Sequence, residues 1–192
     1  MTKGRKPLII IVSAPSGSGK TTIVNGLLEK MDGVKRSVSF TTRAPRQDEK
    51  NGIDYVFVSR EEFKKKIEDG DLLEWEENFD EYYGTSRAQV EEALQGGEDV
   101  ILSIDVKGAK TVKKIFPQSI SIFIMPPSME ELSSRLKKRK TEEDNQVSRR
   151  LKESKAEIAL SDEYEYLIVN DDLGKAIEEL CEIVESARER SK

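Results

Sequence analysis

Apolar residues along this chain follow two rhythms. Short strand-like runs fall at Leu8 to Ser13, Arg36 to Phe40, Val100 to Ile104, Ile120 to Met125 and Tyr166 to Val169. Between most of them, apolar positions recur every three to four residues. Ile23, Val24, Leu27 and Leu28 mark one such face, and Ile177, Leu180, Cys181 and Val184 mark another on a final helix of about Asp172 to Arg190. Helix starts are signalled by Ser59 with Glu62, Ser86 with Gln89 and Ser128 with Glu131, each spaced as a capping box. Strands alternating with helices predict an α/β fold with a largely parallel sheet flanked by helices.

Two regions break the alternation. From about Arg43 to Gly84 there are short β-like pieces (Tyr55 to Val58, Leu72 to Trp75) around one charged helix, which predicts a small mixed α/β lobe. From about Ser134 to Lys155 the chain is dense in Lys, Arg and Glu with few apolar anchors, which predicts a helical hairpin in solvent. No linker separates independent domains. The expected layout is a single domain over residues 1–192: a core of about 1–40, 86–133 and 156–192, a lobe of about 41–85 and a charged hairpin of about 134–155.

Charged residues make up 36% of the 192 residues and nearly balance, for a net charge of −5. That argues against a general nucleic-acid or membrane binder, which would be basic. Histidine is absent, so imidazole catalysis and His-ligated metals are excluded. One cysteine, Cys181, excludes an internal disulfide and fits a reducing, cytoplasmic setting. The N-terminal apolar run is too short for a membrane span or a signal peptide.

The strongest chemical signal is Ala14-Pro15-Ser16-Gly17-Ser18-Gly19-Lys20-Thr21-Thr22, set between the first strand and a helix. Glycines there let backbone N–H groups approach phosphate oxygens, and the helix N-terminus adds positive potential. Lys20 would reach the outer phosphates, and the Thr21 hydroxyl would sit on Mg²⁺. Alanine replaces the first glycine of the usual pattern, so position 14 is unstrained only if its φ is negative.

Further along come Ser37 to Arg46, with Arg43 and Arg46 three apart, then Asn51 to Tyr55, Glu74-Trp75 and Tyr82-Tyr83-Gly84-Thr85. In this order after the phosphate loop, these segments resemble the guanylate kinase family over essentially the whole chain. The resemblance implies a core with a parallel sheet, a GMP-binding lobe, a helical lid and the reaction ATP + GMP → ADP + GDP. It implies that Arg43, Arg46, Tyr55 and Tyr83 hold the GMP phosphate; the bland alternatives are a solvated loop and ring packing. Arginine suits that role because its planar fork donates two parallel hydrogen bonds.

Guanine presents N1–H and a 2-amino group side by side, and O6 as an acceptor. By resemblance, Glu74 is the carboxylate that takes the two donors, and Ser39 and Thr85 are the hydroxyls. Most of its acidic neighbours Glu76, Glu77, Asp80 and Glu81 are expected in solvent. Asp105, closing the strand Val100 to Ile104, would hold a Mg²⁺-bound water or help fix GMP. Relatives usually carry acidic-x-Asp here, whereas this chain has Ser103. Arg135, Arg139 and Arg150 match the lid arginines that would meet the ATP phosphates. Asn170 resembles the contact to adenine and equally reads as a cap of the last helix, a role Asp171 or Asp172 could also fill. The rival readings are a non-catalytic guanylate-kinase-like interaction module and a kinase for another nucleoside monophosphate. Use of dGMP and the choice of monomer or dimer stay open at this level.

Overall fold

The computed structural model describes residues 5–78, 80–138 and 144–191. Its centre is a five-stranded parallel sheet in the order β2 (Val34–Arg36), β7 (Asp99–Ser103), β1 (Ile9–Ser13), β8 (Ile120–Met125), β9 (Tyr166–Val169). All five residues of β1 are buried. A strand covered on both faces needs an unbroken apolar run, because successive side chains point to opposite sides.

That alternation divides the core in two. Ile10 and Val12 point toward α1 (Lys20–Lys30) and α7 (Leu173–Arg190), meeting Ile23, Leu27, Leu180 and Val184. Ile9 and Ile11 point the other way, toward Val90 of α3 (Arg87–Gln95) and Ala109 and Val112 of α4 (Val106–Ile115). Cys181 is half-buried against the first cluster. Among the described residues, no helix is long and apolar enough to cross a membrane.

The chain leaves the core through a second, four-stranded sheet in the order β4 (Val56–Phe57), β3 (Phe40–Thr41), β6 (Glu81–Ser86), β5 (Leu72–Asn78), with α2 (Arg60–Glu68) packed on it through Phe63. Here the structure corrects an expectation. The run Arg36 to Phe40 is not one strand: β2 ends at Arg36 in the large sheet, and β3 begins at Phe40 in the small one. The Ser37 amide still bonds to Ile101 O, but the Val38 amide is taken by the Gln89 side chain, which turns the backbone out of the ladder. The same contact explains a second difference. Ser86 caps α3 through the Gln89 amide, yet Gln89 does not reach back, because its carbonyl is spent on Val38. At Ser59 and Glu62 the full capping box forms. At Ser128 the serine accepts from the Glu131 amide, while the Glu131 carboxylate turns to Arg135.

The charged hairpin contributes α5 (Met129–Lys138) and α6 (Asp144–Ile158). It is better anchored than its composition suggests. Leu132 and Leu136 are buried, with Met129 and Leu151 against them.

One ionic cluster ties the ends of the chain to this framework. The Asp99 carboxylate, fully buried at the start of β7, accepts from both terminal nitrogens of Arg5 (2.7 and 2.6 Å), from the Leu8 amide (2.7 Å) and from Arg188 Nε of α7 (2.8 Å). Burial alone would raise its pKa, but these donors together hold it below the ordinary carboxylate value. Removing one member of such a cluster leaves buried charge uncompensated. Asp99→Ala should therefore cost about 3–5 kcal/mol in urea unfolding. A loss below about 1 kcal/mol would show that water replaces the carboxylate without penalty.

Candidate active site

Parallel α/β sheets place their ligand crevices beyond the carboxyl ends of the strands. At that end of β1 and β7 lies a cleft of about 270 Å³. Its floor is the loop between β1 and α1. Gly17 (φ 94°) and Gly19 (φ 90°) adopt left-handed conformations that a side chain would strain. Among the described residues Asp80 is the one non-glycine with positive φ, so Ala14 fits its place without strain. Lys20 opens α1 and donates to Ile104 O at 3.0 Å. Burial pulls its ammonium below the usual lysine value, and Asp105 and Glu157 pull it back up.

One wall comes from the small sheet. Ser39, Arg43, Arg46, Tyr55, Glu74 and Tyr83 all line the cleft. Arg43 lies 5.5 Å from the centre of the Tyr55 ring, which meets Tyr83 edge-on at 6.0 Å. The Arg43 Nη2 donates to both oxygens of Glu49 at 2.8 Å, and the Arg46 amide donates to Glu49 Oε2 at 2.8 Å. Two guanidiniums and two phenols therefore converge on one spot, with a carboxylate behind them.

Glu74 is nearly enclosed, at 6% exposure. Burial raises its carboxyl to about 7, against a bond from Thr85 that lowers it. Thr85 differs from expectation: it is fully buried behind Glu74 and gives its hydroxyl proton to Glu74 Oε1. That leaves Ser39 as the predicted hydroxyl facing the cleft. Gly108 of α4 stands against the same carboxylate, since a Cβ there would collide with Glu74 Oε2. Asp105 caps α4, with Oδ1 accepting from the Lys107 amide (3.0 Å) and the Gly108 amide (2.8 Å).

The opposite wall is α6. Arg150, Glu153, Ser154 and Glu157 share one helical face and line the cleft, and Arg150 donates to Ser16 Oγ at 3.0 Å. Glu157 is raised to about 7, first by burial, with Lys20 opposing.

Of the residues singled out from the sequence, Ala14, Pro15, Ser16, Gly17, Gly19, Lys20, Thr21, Thr22, Asp105 and Arg150 line the cleft with the wall residues just named. Ser18 is buried beneath it. Asn170 is not the cap of α7; Asp172 is. Its buried side-chain amide instead donates to Ser18 O at 2.7 Å, bracing the phosphate loop from below. Arg135 lies off the cleft, bonded to Glu131 (2.9 Å) and to Asn170 O (3.2 Å). Arg139 lies outside the described residues. Among the lining positions that escaped the sequence reading are Glu76 and Asn78 of β5 and Glu153, Ser154 and Glu157 of α6. Periodicity could have found them, since Glu76 and Asn78 alternate with Glu74 along β5 and the other three repeat the helical spacing from Arg150.

The chain is similar to known proteins over most of its length. The guanylate kinase family model matches residues 5–187. A guanylate kinase of Caldanaerobacter subterraneus subsp. tengcongensis is 45% identical over 184 residues, covering 96% of this chain and 89% of the relative. One of Chromohalobacter salexigens is 48% identical over 185 residues, covering 96% and 86%. Among solved structures, guanylate kinase from Anaplasma phagocytophilum superposes with a TM-score of 0.82 at 36% identity, covering 96% of this chain and 87% of that one. Shikimate kinase from Bacteroides thetaiotaomicron, at TM-score 0.50 and 12% identity, shares the fold alone. With a glycine loop on the central strand, paired arginines opposite it and matches of this extent, the chain belongs to the guanylate kinase family.

Proposed function

We propose that this protein transfers the γ-phosphoryl group of ATP to GMP, giving ADP and GDP. The observation that carries this reading is the shared cleft. A glycine loop suited to a triphosphate faces a pocket with paired arginines at one end and a buried carboxylate at the other. ATP lies on residues 14–22. The GMP phosphate is gripped by Arg43, Arg46, Tyr55 and Tyr83. Glu74 takes the N1–H and 2-amino donors of guanine, and Ser39 donates to O6. Adenine would set a lone pair against Glu74, and mispaired buried polar groups discriminate strongly. dGMP offers the same base edge and phosphate and belongs to the same reading.

Mg²⁺ fits the oxygen donors present. Thr21 is exposed to the cleft at the start of α1, while Asp105, in the same cleft, is left to the guanine edge. No cluster of three or more His, Cys, Asp or Glu side chains suited to a metal occurs among the described residues, so the ion's remaining ligands would be phosphate oxygens and water. Bound there, it neutralises charge on the phosphates. Lys20 and Arg150 add fixed positive charge where negative charge develops, while the walls hold the reactants in line. A role in purine nucleotide supply within a reducing cytoplasm follows from the same reading.

A coupled assay of ADP release across GMP, AMP, CMP and dTMP tests the whole assignment, with GMP expected to be fastest by far. Higher activity on another monophosphate would replace it. Lys20→Ala should lower kcat about 10²–10³-fold while leaving the circular dichroism spectrum unchanged; unaltered turnover would remove Lys20 from the mechanism.

Glu74→Gln should cut kcat/KM for GMP by about 10³-fold or more and leave the KM for ATP within about twofold. The same variant reports on the buried acid. A folded value of about 7 above the ordinary 4.5 means the neutral form favours folding. That contribution is full below about pH 4.5 and lost as pH rises through 7. The unliganded variant should therefore gain about 3 kcal/mol relative to the parent between pH 4.5 and pH 8 in urea unfolding. A pH-independent difference would mean that Glu74 ionises freely.

A further inference from the structure

We propose that Asn78 is a positioning residue for guanine selection, acting through Asp105; this rests on the reading of Asp105 as a contact to GMP. The basis is an accounting of acceptors around the base edge. A carboxylate offers about four lone-pair sites. At Asp105, two on Oδ1 are filled by the amides of Lys107 and Gly108. Oδ2 accepts from the Asn78 side-chain amide at the end of β5. One acceptor site therefore remains, on an oxygen held in a fixed direction from both sides.

Guanine needs one more acceptor than Glu74 supplies. Its edge carries three hydrogens, one on N1 and two on the 2-amino group. A carboxylate facing that edge takes N1–H and one amino hydrogen in parallel, and one site of Glu74 Oε1 is already occupied by Thr85. The second amino hydrogen points past Glu74. Gly108 is the spacer there: it donates to Asp105 Oδ1, and its missing Cβ admits Glu74 Oε2. The remaining lone pair of Asp105 is thus the neighbouring acceptor. Asn78 keeps it aimed at the cleft.

The surroundings explain why an amide serves here. Glu76, one strand repeat before Asn78, lines the same cleft, and its carboxyl is raised first by burial and then by Asp105. Lys107 Nζ stands 3.9 Å from Glu76. A further carboxylate at 78 would crowd Asp105 with negative charge, and an apolar side chain would leave Oδ2 without its fixed donor. Asn78 also comes from the small sheet while Asp105 belongs to the core. Its bond therefore sets Asp105 only when the wall that carries Glu74 is in place.

Inosine monophosphate, which lacks the 2-amino group, separates this role from a merely structural one. Asn78→Leu should lower kcat/KM for GMP about 10-fold, carried by KM, the usual worth of one hydrogen bond to a charged group. Its kcat/KM for inosine monophosphate and its KM for ATP should stay within about twofold of the parent. Asn78→Asp, of the same shape but without the donor, should lose more on GMP and again spare inosine monophosphate. Equal losses on both nucleotides, or no loss on either, would overturn the proposal. Asp105→Asn, which retains an N-cap, serves as the reference. If it leaves the preference for GMP over inosine monophosphate intact, the contact from Asp105 to the base is wrong. If it abolishes that preference and the Asn78 variants do not, Asp105 reads the base without help from Asn78.

Discussion

The cleft depends on a stretch of backbone held where most residues resist being. Between β1 and α1 the chain passes twice through left-handed conformations, at Gly17 and Gly19. Isolated, such a loop would sample many shapes. Here it is clamped from three sides. Asn170 bonds Ser18 O from β9, Lys20 reaches back to Ile104 O beyond β7, and Leu132 and Leu136 of α5 lie against Gly17. The clamp spends side chains from remote parts of the chain on a few backbone atoms. In return, the amides of the loop are held in one orientation before any ligand arrives.

A second constraint is electrostatic. Lys20, Asp105, Glu74 and Glu157 crowd one water-poor volume, and burial moves Lys20 down and both glutamates up. Each shift favours the neutral form. Ligands that bring their own charges and donors reverse that preference, so binding and protonation are linked in this site.

Most of the core was legible because its signals are local. Apolar-rich runs gave β1, β7 and β8, and the glycine loop between a strand and a helix lies on the floor of the cleft. Arg43, Arg46, Tyr55, Glu74 and Tyr83, singled out for residue types that suit a nucleotide, all line the cleft. The errors arose where one side chain had two possible partners far apart in sequence. Gln89 could have closed a capping box but holds Val38, and this splits the run from Arg36 to Phe40 between two sheets. Asn170 could have capped α7 but braces Ser18. Thr85 could have met a base but serves Glu74. The face of α6 that lines the cleft was hidden by composition, since Glu153 read as part of a solvated run and Glu157, just beyond it, carried no motif until the helix is set against the glycine loop.

Glu49 shapes the pair of arginines in the cleft wall. Arg43 and Arg46 do not stand bare: one carboxylate spans the guanidinium of the first and the amide of the second. On the proposed reading, an arriving dianion meets two positive charges less one negative, with the first guanidinium already held in place by Glu49. Such a clasp recognises by shape more than by pull. It suits a catalyst that must let go of each nucleotide as readily as it takes hold of the next.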